Sequence, residues 1–346
     1  MQTRVGTELD APGDPRARVA LAIGAVLAAV LWMLNEPLEL AAAWLAFGAW
    51  TVWRARASAT PRLPLLALVG GASGGVVLLA PHLPQWALAG CLVIGAGVAP
   101  AHLWLESLRR SLARDEFALV LVAQPFAALL HGFVHAYPDA LEPQTLAVLQ
   151  RVFVASALIH AGLALVRREP ERVLGAVIQS QSALVIAGAA AGETGWEAAR
   201  MLLASTMGSG LVLTSIASEL RRRFGALDAA SHHALAEAAP KLHRLFVVCG
   251  WTFVGLPGGL AFFAEDLLFH ALVDQSVGAT VGFIVAAGFN AIAFYRLYLA
   301  LFTGPAVHPP HPTSATASWK IAGLTLAVLA LLVLGLLPSL LVSHGG

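Results

Sequence analysis

Apolar residues run through this chain in long blocks, not in the one-sided or alternating patterns of water-facing elements. Twelve blocks stand out, at 19–34, 38–53, 63–80, 86–103, 117–136, 146–166, 173–191, 199–218, 243–256, 259–275, 278–301 and 320–342. Most approach the roughly 17 to 25 residues a helix needs to cross a hydrocarbon core about 30 Å thick. Their connections are short and carry Pro, Gly or Arg, so the pattern predicts an all-α polytopic membrane protein of about 12 transmembrane helices. The ninth block is short and meets the tenth through Gly255-Leu256-Pro257-Gly258-Gly259, so the pair also reads as one discontinuous helix. The expected organisation is a cytoplasmic tail, 1–18, and a single transmembrane domain, 19–342.

The cations give an independent check, because Lys and Arg in short loops stay on the cytoplasmic side. With the N-terminus inside, Arg4, Arg16 and Arg18 are cytoplasmic, and alternation puts Arg54, Arg56 and Arg62 there, then Arg109, Arg110 and Arg114. Arg167, Arg168 and Arg172 follow in phase, then Arg221, Arg222 and Arg223, then Lys241 and Arg244. Of the 21 Lys and Arg residues only Arg151, Arg200, Arg296 and Lys320 fall elsewhere. This phase predicts that both termini are cytoplasmic, in what reads as a bacterial inner membrane.

Composition agrees with the pattern. Hydrophobic residues make up 58% of the 346 and charged residues 12%, about half the charged share of a soluble domain, so the bilayer is the expected surrounding. A net charge of +1, spread along one membrane face, offers no patch for nucleic acid. Cys91 and Cys249 both fall in apolar blocks without ligand spacing, which supports neither a disulfide framework nor a metal site. The polar start lacks the order of a cleaved signal peptide, so the first block is expected to remain as an anchor.

Between the blocks, Trp104 to Glu116 reads as an interfacial amphipathic helix, with leucines on one face and arginines on another. The longest connection, 219–242, reads as a cytoplasmic helix, and the Pro/His stretch 304–312 as an extended outer loop. Walker, Rossmann, His-Glu-x-x-His and Cys-x-x-Cys patterns are missing, so no cofactor is expected and catalytic chemistry of the chain's own has no motif to rest on.

At Gly255-Leu256-Pro257-Gly258-Gly259-Leu260-Ala261-Phe262-Phe263-Ala264-Glu265-Asp266 the sequence resembles the antiporter-like subunits shared by respiratory complex I, Mrp antiporters and membrane-bound hydrogenases. Those proteins carry a Gly-Leu-Pro turn, a Gly/Phe-rich stretch and then a charged residue on a discontinuous helix. Pro100-Ala101-His102-Leu103-Trp104-Leu105 resembles their Pro-x-His-x-Trp-Leu, and Phe294-Tyr295-Arg296-Leu297-Tyr298 through Phe302-Thr303-Gly304-Pro305 a helix that ends near Phe-Gly-Pro. Glu171-Arg172-Val173-Leu174 with Gln179-Ser180-Gln181 resembles a Lys-Arg-Leu-Leu stretch followed by serines. The resemblance implies a shortened member, of the kind that also accompanies inorganic-carbon-accumulating (DAB-type) complexes.

The departures concern lysine. Gly95, Ala123 or Gln124, and Glu171 stand where that family carries lysines, and Lys241 and Lys320 are the only two in the chain. A relay must therefore use other groups. A charge near the bilayer centre costs a few kcal/mol, so such a residue usually lines an enclosed path or has a partner. Glu265 and Asp266 follow the Gly/Pro break and are the first candidates; the alternative places both at the outer interface.

His131 and His135 share a face of the fifth block, where imidazoles could stand in for lysines, although His135 also suits the headgroup region. No Cys, Asp or Glu completes a ligand set near them, so no metal is expected. His160 and His270 are further relay candidates, each equally readable as a hydrogen-bonding residue between helices. His102, Lys241 and His243 sit near cytoplasmic ends as uptake or release points, or as snorkelled interfacial residues. Glu39 resembles an early-helix glutamate of the family and equally suits the start of a helix. Arg296, deep in the eleventh block, calls for a carboxylate, expected to be Glu265 or Asp266.

Two functions compete. One is a proton-conducting subunit of a larger complex, the other a structural subunit that anchors a peripheral enzyme through its arginine-rich face. Either implies other membrane subunits as partners, lipid around the bundle and no nucleic acid.

Overall fold

In the computed structural model the described residues are 15–31, 36–55, 84–96, 99, 141–305 and 316–338. Every regular element among them is a helix. The chain divides into two compact units, Met1–Leu149 and Gln150–Gly346.

In the first unit α1 (Pro15–Leu31), α2 (Pro37–Ala55) and α3 (Gln85–Ala96) follow the first, second and fourth apolar blocks. Proline opens α1 and α2, where its missing N–H is one the helix could not have bonded anyway. The two helices form a hairpin in which the Trp50 indole N–H donates to Ala20 O at 2.9 Å and lies over Gly24, where a side chain would meet the ring. Glu39 is exposed in the first turn of α2, as suits the positive end of a helix dipole. The blocks at 63–80 and 117–136 and the interfacial segment 104–116 lie outside the described residues, and so do His102, His131 and His135.

The second unit carries α4 (Pro143–Val166, from Gln150 onward), α5 (Pro170–Ala189), α6 (Gly192–Phe224), α7 (Leu235–Ala238), α8 (Pro240–Phe253), α9 (Leu260–Val273), α10 (Val277–Phe302) and α11 (Ser318–Leu336). Five of these, α4, α5, α6, α10 and α11, are long and apolar enough to cross a membrane. α5 is the central helix, buried along most of its length against α6 and α10.

One end of this unit gathers the cations. Arg221 pairs with Glu171 at 3.4 Å, and Lys320 with Glu219 at 3.1 Å. Ala229 N–H donates to Arg168 O, and Arg223 reaches Thr316. The opposite end is closed by Gln275, which accepts from Gln150 and donates to Ala191 O.

This arrangement corrects three expectations. First, α8 and α9 have 14 residues each, about 21 Å apiece, and together lead from the arginine end at His243 to the opposite end at Gln275, as the discontinuous-helix reading of the pair has it, which changes the side expected for the segments that follow. Arg296 and Lys320 then join the arginine end. Both flanks of the stretch expected as an outer loop, Thr303–Gly304 and Thr316, lie there too. α11 leads away from that end, with Gly335 against the break. Second, 219–242 is not one helix: α6 runs to Phe224 and stops at Gly225 with φ +83, and only the four residues of α7 are helical beyond it. Third, Arg296 has no carboxylate partner among the described residues. Its guanidinium donates to Ala164 O at 3.1 Å, Arg167 O at 2.6 Å and Ala229 O at 3.4 Å, where the last carbonyls of α4 lack intrahelical donors.

Candidate functional site

The break between α8 and α9 is built from residues that no regular helix would use. Gly255 and Gly258 have φ of +73 and +90, in the region L side chains avoid. A side chain on Gly255 would also collide with the Glu265 carboxylate, so that glycine sets both the turn and the seat of the acid. Glycine on the packing helix matters as well: a Cβ on Gly335 would stand 2.7 Å from Gly258 O.

Interrupting a helix inside a bilayer frees backbone groups that lipid cannot satisfy. A hydroxyl meets one of them here, the carbonyl of Thr252, within a cluster of three. Thr252 Oγ1 donates to Cys249 O at 2.7 Å, Ser205 Oγ to Thr252 O at 3.4 Å, and Ser209 lies 3.3 Å from the Thr252 hydroxyl. Ser205 and Ser209 are near the middle of α6, whose 33 residues extend about 50 Å, so the break lies at mid-depth of the unit.

Glu265, in the second turn of α9, is half-buried beside this break. Gln181 of α5 donates to it through Nε2 at 3.4 Å. Gln181 is 1% exposed, and its Oε1 has no partner among the described residues. The amide therefore offers a donor to the carboxylate and an unused acceptor that a protonated carboxyl could engage. Next to it in sequence, Ser180 donates to Ala157 O of α4 and accepts from Asn290 Nδ2 of α10, both at 2.9 Å. His160 is buried on α4 on the same face as Ala157 and Ala164, toward Arg296. Mid-depth polar groups thus run from the break across α5 to α4 and α10.

The remaining candidates are spread more widely. Asp266 and His270 contact each other at 4.0 Å on the outer side of α9, each side chain 63% exposed, and do not join Glu265. At the arginine end His243 stacks on Tyr298 and lies tilted against Phe302, with Nε2 3.5 Å from the Tyr298 hydroxyl, while Lys241 is exposed. Gln181, Ser180 and Asn290 were not predicted as site residues. Their signal was present as polar groups inside otherwise apolar blocks, the Gln179-to-Ser182 run above all. Among the described residues no cluster of three or more His, Cys, Asp or Glu could hold a metal.

Residues 40–290 match the protein family described as NADH:quinone oxidoreductase/Mrp antiporter, TM. NADH-quinone oxidoreductase subunit 14 of Thermus thermophilus is 31% identical over 289 residues, covering 79% of this chain and 62% of the relative. NADH-quinone oxidoreductase subunit N of Halorhodospira halophila is 26% identical over 260 residues, covering 71% and 53%. The chain thus matches between half and two thirds of the length of these relatives. Among solved structures, a chain of the Mrp complex from a Dietzia species superposes with a TM-score of 0.74 at 16% identity, over 93% of this chain and 74% of that one. A chain of Thermus thermophilus respiratory complex I with bound NADH gives 0.75 at 20% identity, over 93% and 80%. At these identities the superpositions establish the fold.

Proposed function

The chain belongs to the NADH:quinone oxidoreductase/Mrp antiporter transmembrane family, and from that premise we propose that it is a proton-conducting, antiporter-like subunit of a larger energy-coupled membrane complex. The observation that carries this reading is Glu265, an acid seated on Gly255 at a mid-depth helix break and met by a buried amide. Such a carboxylate can take up and release a proton where lipid excludes competing water. The amide of Gln181 matches either protonation state, and His160 extends the polar line toward the arginine end. Lys241 and His243, at the arginine end of the same unit, are its access points.

A partner subunit is part of the proposal. Asp266 and His270 lie on a helix within the apolar depth of the unit and are largely uncovered, and ionisable side chains facing hydrocarbon are costly. A neighbouring membrane subunit with polar groups would relieve that cost. The arginine end is assigned to the cytoplasm of a bacterial inner membrane on the positive-inside rule, which leaves a basic face for a peripheral enzyme.

The test is proton flux into vesicles carrying the complete complex, compared between wild type and Glu265→Gln. The expected result is a loss of coupled flux of roughly a hundredfold, in the range for removal of one proton-transfer group. Unchanged flux with an intact complex would leave the anchoring role as the better account.

A further inference from the structure

The geometry points to a binding site for a phosphate-bearing anion at the arginine end of the second unit, separate from the broken helix. A cavity of about 480 Å³ lies between the loop at 229–232 and α10, lined among others by Ala229, Ser231, His232, Tyr295, Arg296 and Leu299. Its charge demand is the first reason to expect an anion. Arg296 is half-buried, and among the described residues its hydrogen bonds go to neutral carbonyls, those of Ala164, Arg167 and Ala229. Those bonds satisfy the N–H groups of both terminal nitrogens in part but leave a full positive charge, and Nε is buried with no partner among the described residues. A half-buried guanidinium with no carboxylate partner among the described residues favours an anion.

Donor chemistry is the second reason. His232 Nδ1 lies 3.2 Å from Leu299 O and 3.1 Å from Thr303 O. Both partners are acceptors only, so Nδ1 carries the proton and the ring is oriented by these two bonds, which leaves the donor role on this wall to the neighbouring hydroxyl. The imidazole is held there by Gly304, at φ +75, where a side chain would stand 2.7 Å from the ring. Ser231 adds a hydroxyl to the same wall.

The third reason is location. Ile292 and Tyr295, also on the cavity wall, are 56% and 60% exposed on a membrane-spanning helix. The cavity therefore opens sideways, with an apolar wall below and an aromatic phenol at the level where headgroups lie. A basic pocket at that depth suits the phosphodiester of an anionic lipid, with its chain along Ile292, and free phosphate shares the recognised group.

The test uses the full chain in phosphatidylcholine nanodiscs with or without phosphatidylglycerol, and quantifies by mass spectrometry the lipid retained after detergent exchange. In a second arm, inorganic phosphate is titrated in phosphatidylcholine alone, with chloride as control, and thermal unfolding is followed. Preferential retention of phosphatidylglycerol identifies the lipid source, and stabilisation by phosphate alone identifies the free anion. Arg296→Gln is expected to lower the responding signal about tenfold, the loss of one charge-assisted contact. Ser231→Ala leaves the three carbonyl bonds of Arg296 in place, so it decides the matter if Arg296→Gln fails to fold. It should lower the signal about threefold. Equal retention of both lipids together with no phosphate response overturns the site, and so does a lipid preference that neither variant changes.

Discussion

Gly255 carries two demands that are separable by substitution. Its φ of +73 costs a non-glycine residue roughly 1–3 kcal/mol, and any side chain also displaces the Glu265 carboxylate. Gly255→Ala should therefore lower thermal stability by about that amount and lower proton flux in vesicles, whereas Gly258→Ala, with φ +90 but open space around it, should show the stability loss with a smaller effect on flux. Equal flux in the two variants would mean that the seat of the acid is unimportant. The Ser180–Asn290 pair gives a second residue-scale expectation. Ser180→Ala leaves the Asn290 amide buried with no acceptor for its Nδ2 and should cost about 1–3 kcal/mol. Asn290→Leu removes the amide altogether, including an Oδ1 that has no partner among the described residues, and should be milder in the same unfolding measurement. The reverse order would show that a group outside the described contacts serves Asn290.

At the scale of elements, α11 packs along Leu324, Val328 and Leu331 and is fixed at either end of that stripe by Lys320 on Glu219 and by the bare surface of Gly335 at the break. Glu219 is 2% exposed and also accepts from Arg222. Lys320→Met would leave that carboxylate with one cation fewer, a loss of roughly 1–3 kcal/mol for a charge-assisted bond in a partly shielded position. Gly335→Leu would instead force α11 away from Gly258. Disulfide yield between cysteines at positions 208 and 331, now in contact, should fall more in Gly335→Leu than in Lys320→Met; an unchanged yield in both would show that neither point holds the helix. Much of the element scale was legible beforehand. Apolar blocks at 146–166, 173–191 and 278–301 fall within two or three residues of α4, α5 and α10 at most ends, because a helix in lipid must be apolar all round. The arginine-terminated α6 reached further in both directions than its block, since Glu193 and the Arg221–Arg223 run are compatible with a helix that extends past the hydrocarbon.

For the whole molecule, the uncovered Asp266–His270 pair makes association the relevant scale. Asp266→Leu should leave the thermal stability of the isolated chain within about 0.5 kcal/mol, as expected for an exposed side chain without tight partners, while lowering the yield of copurifying membrane subunits. Full recovery of the complex would show that this face is not an interface. The membrane setting, the arginine face and the helix break were determined by the sequence alone, because hydropathy, loop charge and Gly/Pro punctuation act locally and need no knowledge of neighbours. Which polar groups meet was decided only by tertiary packing. Glu265 and Asp266 are adjacent in the chain, yet the helix turns one toward Gln181 and the other outward, and Arg296 finds carbonyls from α4 in place of an acid. Those partners lie 84 and about 130 residues away, a separation across which periodicity and propensity carry no information.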